Sequence, residues 1–172
     1  CVEGWAKANL PKLEKKRVQL AKKRAAEGRK VLRERKEALK SVSKWEEECR
    51  KLVQKIARIR DRHDGCISCH VGPDYGGIWH GSHYRSVGAA SGVQFNLWNI
   101  HKACEQGKFF KGGNREGYRP RLIEKIGSDR VEWLDAQNNV NKRSGPAYVE
   151  YLQRFKKVMG KKLRRMEKRA AE

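Results

Sequence analysis

Cys66 and Cys69 are separated by two residues, and after an interval long enough for a hairpin His101 and Cys104 form a second close pair. Tetrahedral zinc takes four soft or borderline ligands, and pairs held on two tight turns are the usual way to supply them. Position 107, where a second complete Cys-x-x-Cys pair would end, is Gly107. The fourth ligand is therefore His101, His70 or water, or the thiols are free and buried with no metal at all. An ion there would staple a core too small to hold itself.

Between the two pairs run Trp79-His80-Gly81-Ser82-His83-Tyr84-Arg85 and Phe95-Asn96-Leu97-Trp98-Asn99-Ile100-His101-Lys102. A histidine at a strand end facing a divalent ion suits phosphodiester hydrolysis: the imidazole takes a proton from the attacking water while the ion offsets charge on the leaving oxygen. An asparagine amide can hold such a ring in orientation. Taken singly, each histidine is more often an ordinary hydrogen-bonding residue.

The elements that must position these groups fall into three segments. From about Leu10 to Arg62 the chain is rich in Ala, Leu, Glu, Lys and Arg and is interrupted only by Pro11 and Gly28, which is helix composition. Asn9 and Pro11 mark a start, and a continuous helix would reach roughly 70 Å. Trp45, Cys49, Leu52, Ile56 and Ile59 form one apolar stripe that packs on something. Upstream, a heptad-like row from Val18 to Val42 is half small or charged, a weak seam, so the first half reads as an exposed basic arm. In the middle segment, Ile78–Tyr84 and Gly92–Leu97 read as strands of a hairpin. A helix is expected near Lys102–Lys111, closed by Gly112 and Gly113. Short helices are expected over Pro120–Ile126 and Asp129–Asn138, broken at Gly127. Ser144-Gly145-Pro146 then opens a last helix with an apolar stripe through Tyr148, Tyr151, Leu152, Phe155, Val158, Met159, Leu163 and Met166. The expected division is a helical arm over 1–62, a cysteine- and histidine-bearing core over 63–135, and a basic amphipathic helix over 136–172.

The 172 residues carry a formal net charge of +21, with 38% hydrophobic and 35% charged residues. Such a field attracts polyanions, and nucleic acid is the default partner. A spanning segment is excluded, since no run approaches the ~18–20 apolar residues a bilayer requires. The aromatics cluster away from the most basic helix, which speaks against a membrane surface. No signal peptide is recognisable, and five cysteines with a Cys-x-x-Cys spacing suit reduced thiols or a metal. A cytoplasmic setting is expected. The chain begins at Cys1, so residues upstream are expected, and Cys1 reads as the end of a cysteine cluster.

The order Cys66-Ile-Ser-Cys69, His83-Tyr84-Arg85, Phe95-Asn96, Asn99-Ile100-His101-Lys102 with Cys104, Lys111-Gly112-Gly113-Asn114 and Tyr118-Arg119 resembles the NinG family of lambda-type phages. The likeness covers about Asp61 to Trp133. It implies a mainly helical α+β fold with a small core like the HNH, or His-Me finger, hairpin plus helix, flanked by long basic helices. It also implies a structure-specific endonuclease acting on branched recombination intermediates such as Holliday junctions and D-loops, with Mg²⁺ or Mn²⁺ for cleavage and a structural Zn²⁺. By position, His83 would be the general base and Asn99 the residue fixing the hairpin loop and base, with Cys66, Cys69 and Cys104 on zinc. The chain departs from the family pattern at Gly107, in place of a fourth cysteine, and at Lys108, in place of an asparagine. Ser82 stands where many HNH enzymes carry a metal-holding aspartate, and His80 is the nearest alternative ligand.

On this reading Arg85, Lys102, Lys108, Lys111, Arg115 and Arg119 would grip phosphate. Two other classes compete. Gly107 and Lys108 favour a junction- or single-strand-binding protein with a decayed nuclease core, and the long helix would serve a structural protein that binds a partner chain. Two-fold junctions suit a homodimer by analogy.

Overall fold

The computed structural model describes residues 2–109, 111–139 and 143–171, in two units, residues 1–41 and 42–172; Cys1 lies outside the described residues. The first unit is one helix, α1 (Val2–Ala38). Every side chain from Lys12 to Lys36 is exposed, as expected of a solvated basic arm. Two details of the sequence reading are corrected. The helix begins at Val2 and continues through Pro11, whose missing N–H costs one internal bond but is flanked by strong helix formers. The run also does not reach Arg62 unbroken: α1 stops at Ala38, and α2 (Val42–Arg60) starts after Ser41, a residue type favoured at the N-cap. The expected single rod is two helices, the first about 55 Å long.

In the second unit α2 buries Trp45, Cys49, Val53, Ile56 and Ala57. These positions fall on one face because steps of three and four residues return to the same side of a helix. That face meets α6 (Pro146–Ala171) through Tyr148 and Leu152, with Phe155 packed alongside. Contacts pair Glu46 with Tyr148 at 2.7 Å, Glu48 with Lys156 at 2.8 Å and Lys55 with Glu167 at 2.7 Å, so the two helices run in the same direction. Each fully buried aliphatic side chain here contributes about 1.5–3 kcal/mol. Tyr151 and Val158, placed on the buried stripe by sequence, are instead 44% and 59% exposed. Among the described residues no helix is long and apolar enough to cross a membrane.

The sheet is a two-stranded antiparallel pair, β1 (Trp79–His83) and β2 (Ile100–Cys104), with Trp79 opposite Cys104 and His83 opposite Ile100. The second strand lies beyond the expected Gly92–Leu97, where Ser91–Val93 forms a 3-10 turn. All five β2 residues are buried, so the strand lacks the alternation that betrays a half-exposed one. α2 presses on the hairpin so closely that a Cβ on Gly81 would fall 2.7 Å from Gln54 Cα.

β2 leads directly into α3 (Glu105–Phe109), and α4 (Lys111–Ile126) follows. The helix expected over 102–111 is therefore a strand end and a short helix, and Gly112 and Gly113 lie inside α4 instead of closing a helix. Gly127 ends α4 at φ 87° and ψ 155°, a region open essentially to glycine alone that would cost another residue about 1–3 kcal/mol, and α5 (Ser128–Asp135) begins immediately. Tyr84, Val93, Tyr118, Leu122, Val131 and Leu134 close the main core under the hairpin.

Candidate functional site

The three cysteines come together. Their sulfur atoms all lie within 4.8 Å of one another, although Cys104 is 38 positions beyond Cys66. The turn that carries Cys66 and Cys69 is closed by the Cys66 N–H donating to Val71 O at 2.8 Å and pinned to β2 by the Ile67 N–H donating to Lys102 O at 3.0 Å. Asn114 of α4 donates to Ser68 O from the other side. Backbone N–H groups point at sulfur: Cys104 N to Cys66 Sγ at 3.3 Å and Gly107 N to Cys104 Sγ at 3.2 Å. Burial pushes the Cys66 thiol up, but the Ser68 hydroxyl and the backbone N–H groups of Cys104 and Ser68 outweigh it and bring its pKa down to about 7. Burial pushes Cys69 up to about 12.

A Cβ placed on Gly107 would fall 2.7 Å from Cys66 Sγ and 3.4 Å from Cys104 Sγ. Position 107 thus faces the cluster, and a glycine there supplies only hydrogen. The three thiols fit three corners of a tetrahedral zinc ion; nothing from residue 107 fits the fourth. His101, expected on zinc, is corrected. It is 1% exposed, its Nε2–H donates to Trp98 O at 3.0 Å, and its Nδ1 accepts from Arg60 Nη2 at 2.8 Å. His70 is engaged by Arg121 at 2.8 Å. Neither joins the cysteines.

His101 belongs to a buried charge network that sequence reasoning missed. Asp61, 1% exposed, accepts from Arg60 Nε at 2.7 Å and Nη2 at 2.8 Å, from Lys125 Nζ at 2.8 Å, and from the Lys102 N–H at 3.1 Å. Burial alone would raise the Asp61 pKa, but the Arg60 and Lys125 cations bonded to it hold it well below the usual carboxylate range. Burial and the Arg60 charge keep His101 neutral, which matches its acceptance of a guanidinium hydrogen. The one local signal was the adjacent Arg60-Asp61 pair at a helix end.

His83, at the end of β1, donates from Nε2 to Gln94 O at 2.9 Å. A carbonyl only accepts, so the proton sits on Nε2 and the lone pair on Nδ1. Burial lowers the His83 pKa, and the Arg50 and Lys108 charges lower it further, so the ring is neutral at pH 7. Gln94, another residue missed in the sequence, is held by Arg50 Nη1 at 2.9 Å and Glu46 at 3.2 Å. A cavity of about 750 Å³ lined by Glu46, Gln94, Phe95, Tyr148 and Tyr151 opens beside it. Asn99, fully buried, pairs with the backbone of Arg85 and donates to Val93 O at 3.2 Å, fixing the loop after His83.

The surroundings of His83 do not fit Mg²⁺ or Mn²⁺. Lys108 Nζ lies 3.5 Å from His80 Nδ1, and Arg50 and Lys108 are the charges that lower the His83 pKa; the nearby carboxylates, Glu46 on Gln94 and Glu105 by His80, join no group among the described residues able to share an ion. Among the described residues the one group of three or more His, Cys, Asp or Glu side chains close enough to share an ion is the cysteine cluster.

The expected phosphate contacts divide. Lys102 is corrected: it is 3% exposed, donates to Arg62 O at 3.0 Å, and lies 4.1 Å from the centre of the Trp79 ring. It is an internal cation. Arg85 donates to Gln137 O at 2.8 Å. Arg115 and Arg119 each reach Asp135 at 3.2 Å while 58% and 47% of their side chains stay exposed. Lys111 opens α4, and its side chain lies outside the described residues.

The fold and the site define a basic, mainly helical protein built on a thiol-cornered two-stranded hairpin. The chain belongs to the NinG family: the family described as Bacteriophage Lambda NinG protein matches residues 1–169. Protein ninG of Escherichia phage lambda is 39% identical over 108 residues, 63% of this chain and 52% of the relative. Protein ninG of Escherichia phage 933W is 38% identical over 108 residues, 63% and 53% of the two chains. Protein ninG of Salmonella phage P22 is 38% identical over 107 residues, 62% and 52%. The chain thus spans about half the length of these curated relatives. No solved structure matches it.

Proposed function

We propose that this chain is a DNA-binding protein of phage recombination that grips branched or single-stranded DNA through a His-Me-finger-like hairpin without cutting it. The observation that carries this reading is Lys108 Nζ at 3.5 Å from His80 Nδ1, with Arg50 beside His83. Cations beside these two histidines would repel a divalent ion, and cations bind phosphate directly. The net charge of +21 and the exposed guanidinium groups of Arg115 and Arg119 supply a sequence-independent hold on the backbone. Host cytoplasm is the setting this implies.

A second reading, a metal-dependent endodeoxyribonuclease, draws on the Nδ1 lone pair of His83. A neutral imidazole with Nε2 anchored to a carbonyl is the form in which a general base takes a proton from water. The cations around it do not favour Mg²⁺ or Mn²⁺, so the binding reading stands first.

Both are tested on a four-way junction, a duplex and a single strand of equal length. Binding that falls steeply with salt, prefers the junction or the single strand, and leaves every strand intact in Mg²⁺ or Mn²⁺ is the expected result. Nicks that vanish in His83→Ala would move the assignment to the nuclease. Failure to retain any of the three DNAs at low salt would remove both.

A further inference from the structure

Trp98 and Trp133 lie together at the surface, ring centres 6.0 Å apart and planes at 89°. They are 41% and 43% exposed, so their mutual contact leaves much of each indole in water. Arg130 sits 4.8 Å from the centre of the Trp98 ring. We infer that Trp98, Trp133 and Arg130 form a stacking site for an unpaired nucleotide base. This rests on the DNA-binding reading and goes beyond it by naming where a single-stranded base is held.

Three observations carry the assignment. The first is rigidity. The Trp98 N–H donates to Asn96 Oδ1 at 2.8 Å, its carbonyl accepts from His101 at 3.0 Å, and the preceding Leu97 carbonyl accepts from Arg60 at 2.8 Å. The buried Asp61 network therefore clamps the backbone beneath an exposed indole. Trp133 stands on α5, which is anchored by the buried Val131 and Leu134. Large aromatic surface on a fixed backbone loses little freedom on binding.

The second is charge. A base brings its phosphate, and Arg115 and Arg119 meet α5 at Asp135, two residues past Trp133. Asp129 and Glu132 share this helix, so the cations and not the helix as a whole draw the backbone. The third is position. Trp98 lies in the turn two residues before Ile100, the residue paired with His83 at the end of the hairpin ladder. The turn that carries the indole thus leads straight into the strand paired with the one that ends at His83. Every base has a flat face, so stacking of this kind accepts any sequence and discriminates against duplex, whose bases are already stacked.

The test uses the full chain with a single-stranded oligonucleotide carrying 2-aminopurine, and the matching duplex. The wild-type protein is expected to change 2-aminopurine fluorescence in the single strand on binding. Trp98→Ala and Trp133→Ala should each weaken single-strand binding about tenfold or more and abolish that change, while duplex affinity stays within about twofold. Trp98→Phe, which keeps a flat ring, should restore most of both. Far-UV circular dichroism and thermal melting confirm that each variant folds; a variant that does not is replaced by Arg130→Ala, whose single-strand binding should also weaken. Unchanged single-strand binding in folded variants, or equal loss on both DNAs, overturns the stacking site and leaves the DNA-binding reading intact. A wild-type chain that binds neither DNA overturns that reading, and the stacking site with it.

Discussion

The side chain of Asn99 pairs with both backbone groups of Arg85: Oδ1 accepts the N–H at 2.7 Å and Nδ2 donates to the carbonyl at 3.0 Å. One buried amide thus does for the residue after Tyr84 what another strand would do. Asn99→Ala leaves the Arg85 N–H without its acceptor and is expected to cost about 2–3 kcal/mol. Urea unfolding measures it. A change below about 0.5 kcal/mol would show that the loop holds itself.

Asp61→Asn removes one charge from a group bound by Arg60, Lys125 and the Lys102 N–H. Breaking a buried pair from one side is expected to cost about 3–5 kcal/mol. Loss of that size, with the Trp98 loop exchanging its amide hydrogens faster, is the expected outcome by denaturation and hydrogen exchange. Wild-type stability in the variant would mean that the cations are solvated.

His80, His83 and His101 all have pKa values below the ordinary 6.5, burial being the first cause in each. Below 6.5 the unfolded chain binds more protons than the native one, so stability rises with pH there. Their contribution is full above 6.5 and is lost as pH falls through it. Asp61, with its pKa held down, adds a further loss below 3.8. Melting temperature should hold near pH 7–8 and fall between about 6.5 and 5. A rise on acidification would contradict the neutral, buried rings.

Cobalt(II) added to the reduced protein is expected to give thiolate charge-transfer and tetrahedral d–d absorption, and zinc to raise the melting temperature reversibly with EDTA. Cys66→Ser should abolish both. Gly107→Cys is expected to destabilise the metal-free chain, because its Cβ meets Cys66 Sγ at 2.7 Å, and to tighten zinc by supplying a fourth thiolate. No cobalt spectrum in either protein would leave the cysteines as buried thiols.

Lys108→Ala removes the cation next to His80. DNA binding should weaken by a similar factor for every sequence, with the salt slope lower by about 1. An unchanged slope, read by fluorescence anisotropy at several salt concentrations, would place Lys108 away from phosphate.

Local pattern carried a definite part of this structure. The exposed basic helix, the buried face of α2, the break at Gly127 and the opening of α6 at Pro146 depend on residues within a turn or two of one another. Helical period and turn chemistry act over that range. The hairpin was legible as an element but not in register. Ile100-His101-Lys102 disguises a strand because its polar side chains find partners in the interior, and such partners have no local signature.

By itself, the sequence determined the charge, the break at Gly127, the opening of α6 at Pro146 and the spacing of Cys66, Cys69 and Cys104, since composition and short-range geometry need nothing else. Only the tertiary structure decided that His101 and Lys102 turn inward, that Gly107 faces the thiols, and that Lys108 stands beside His80. Each of those depends on what chain contacts remote in sequence, Asp61 under Lys102 or Cys66 beside Gly107, bring close enough to satisfy a buried donor or fill a gap.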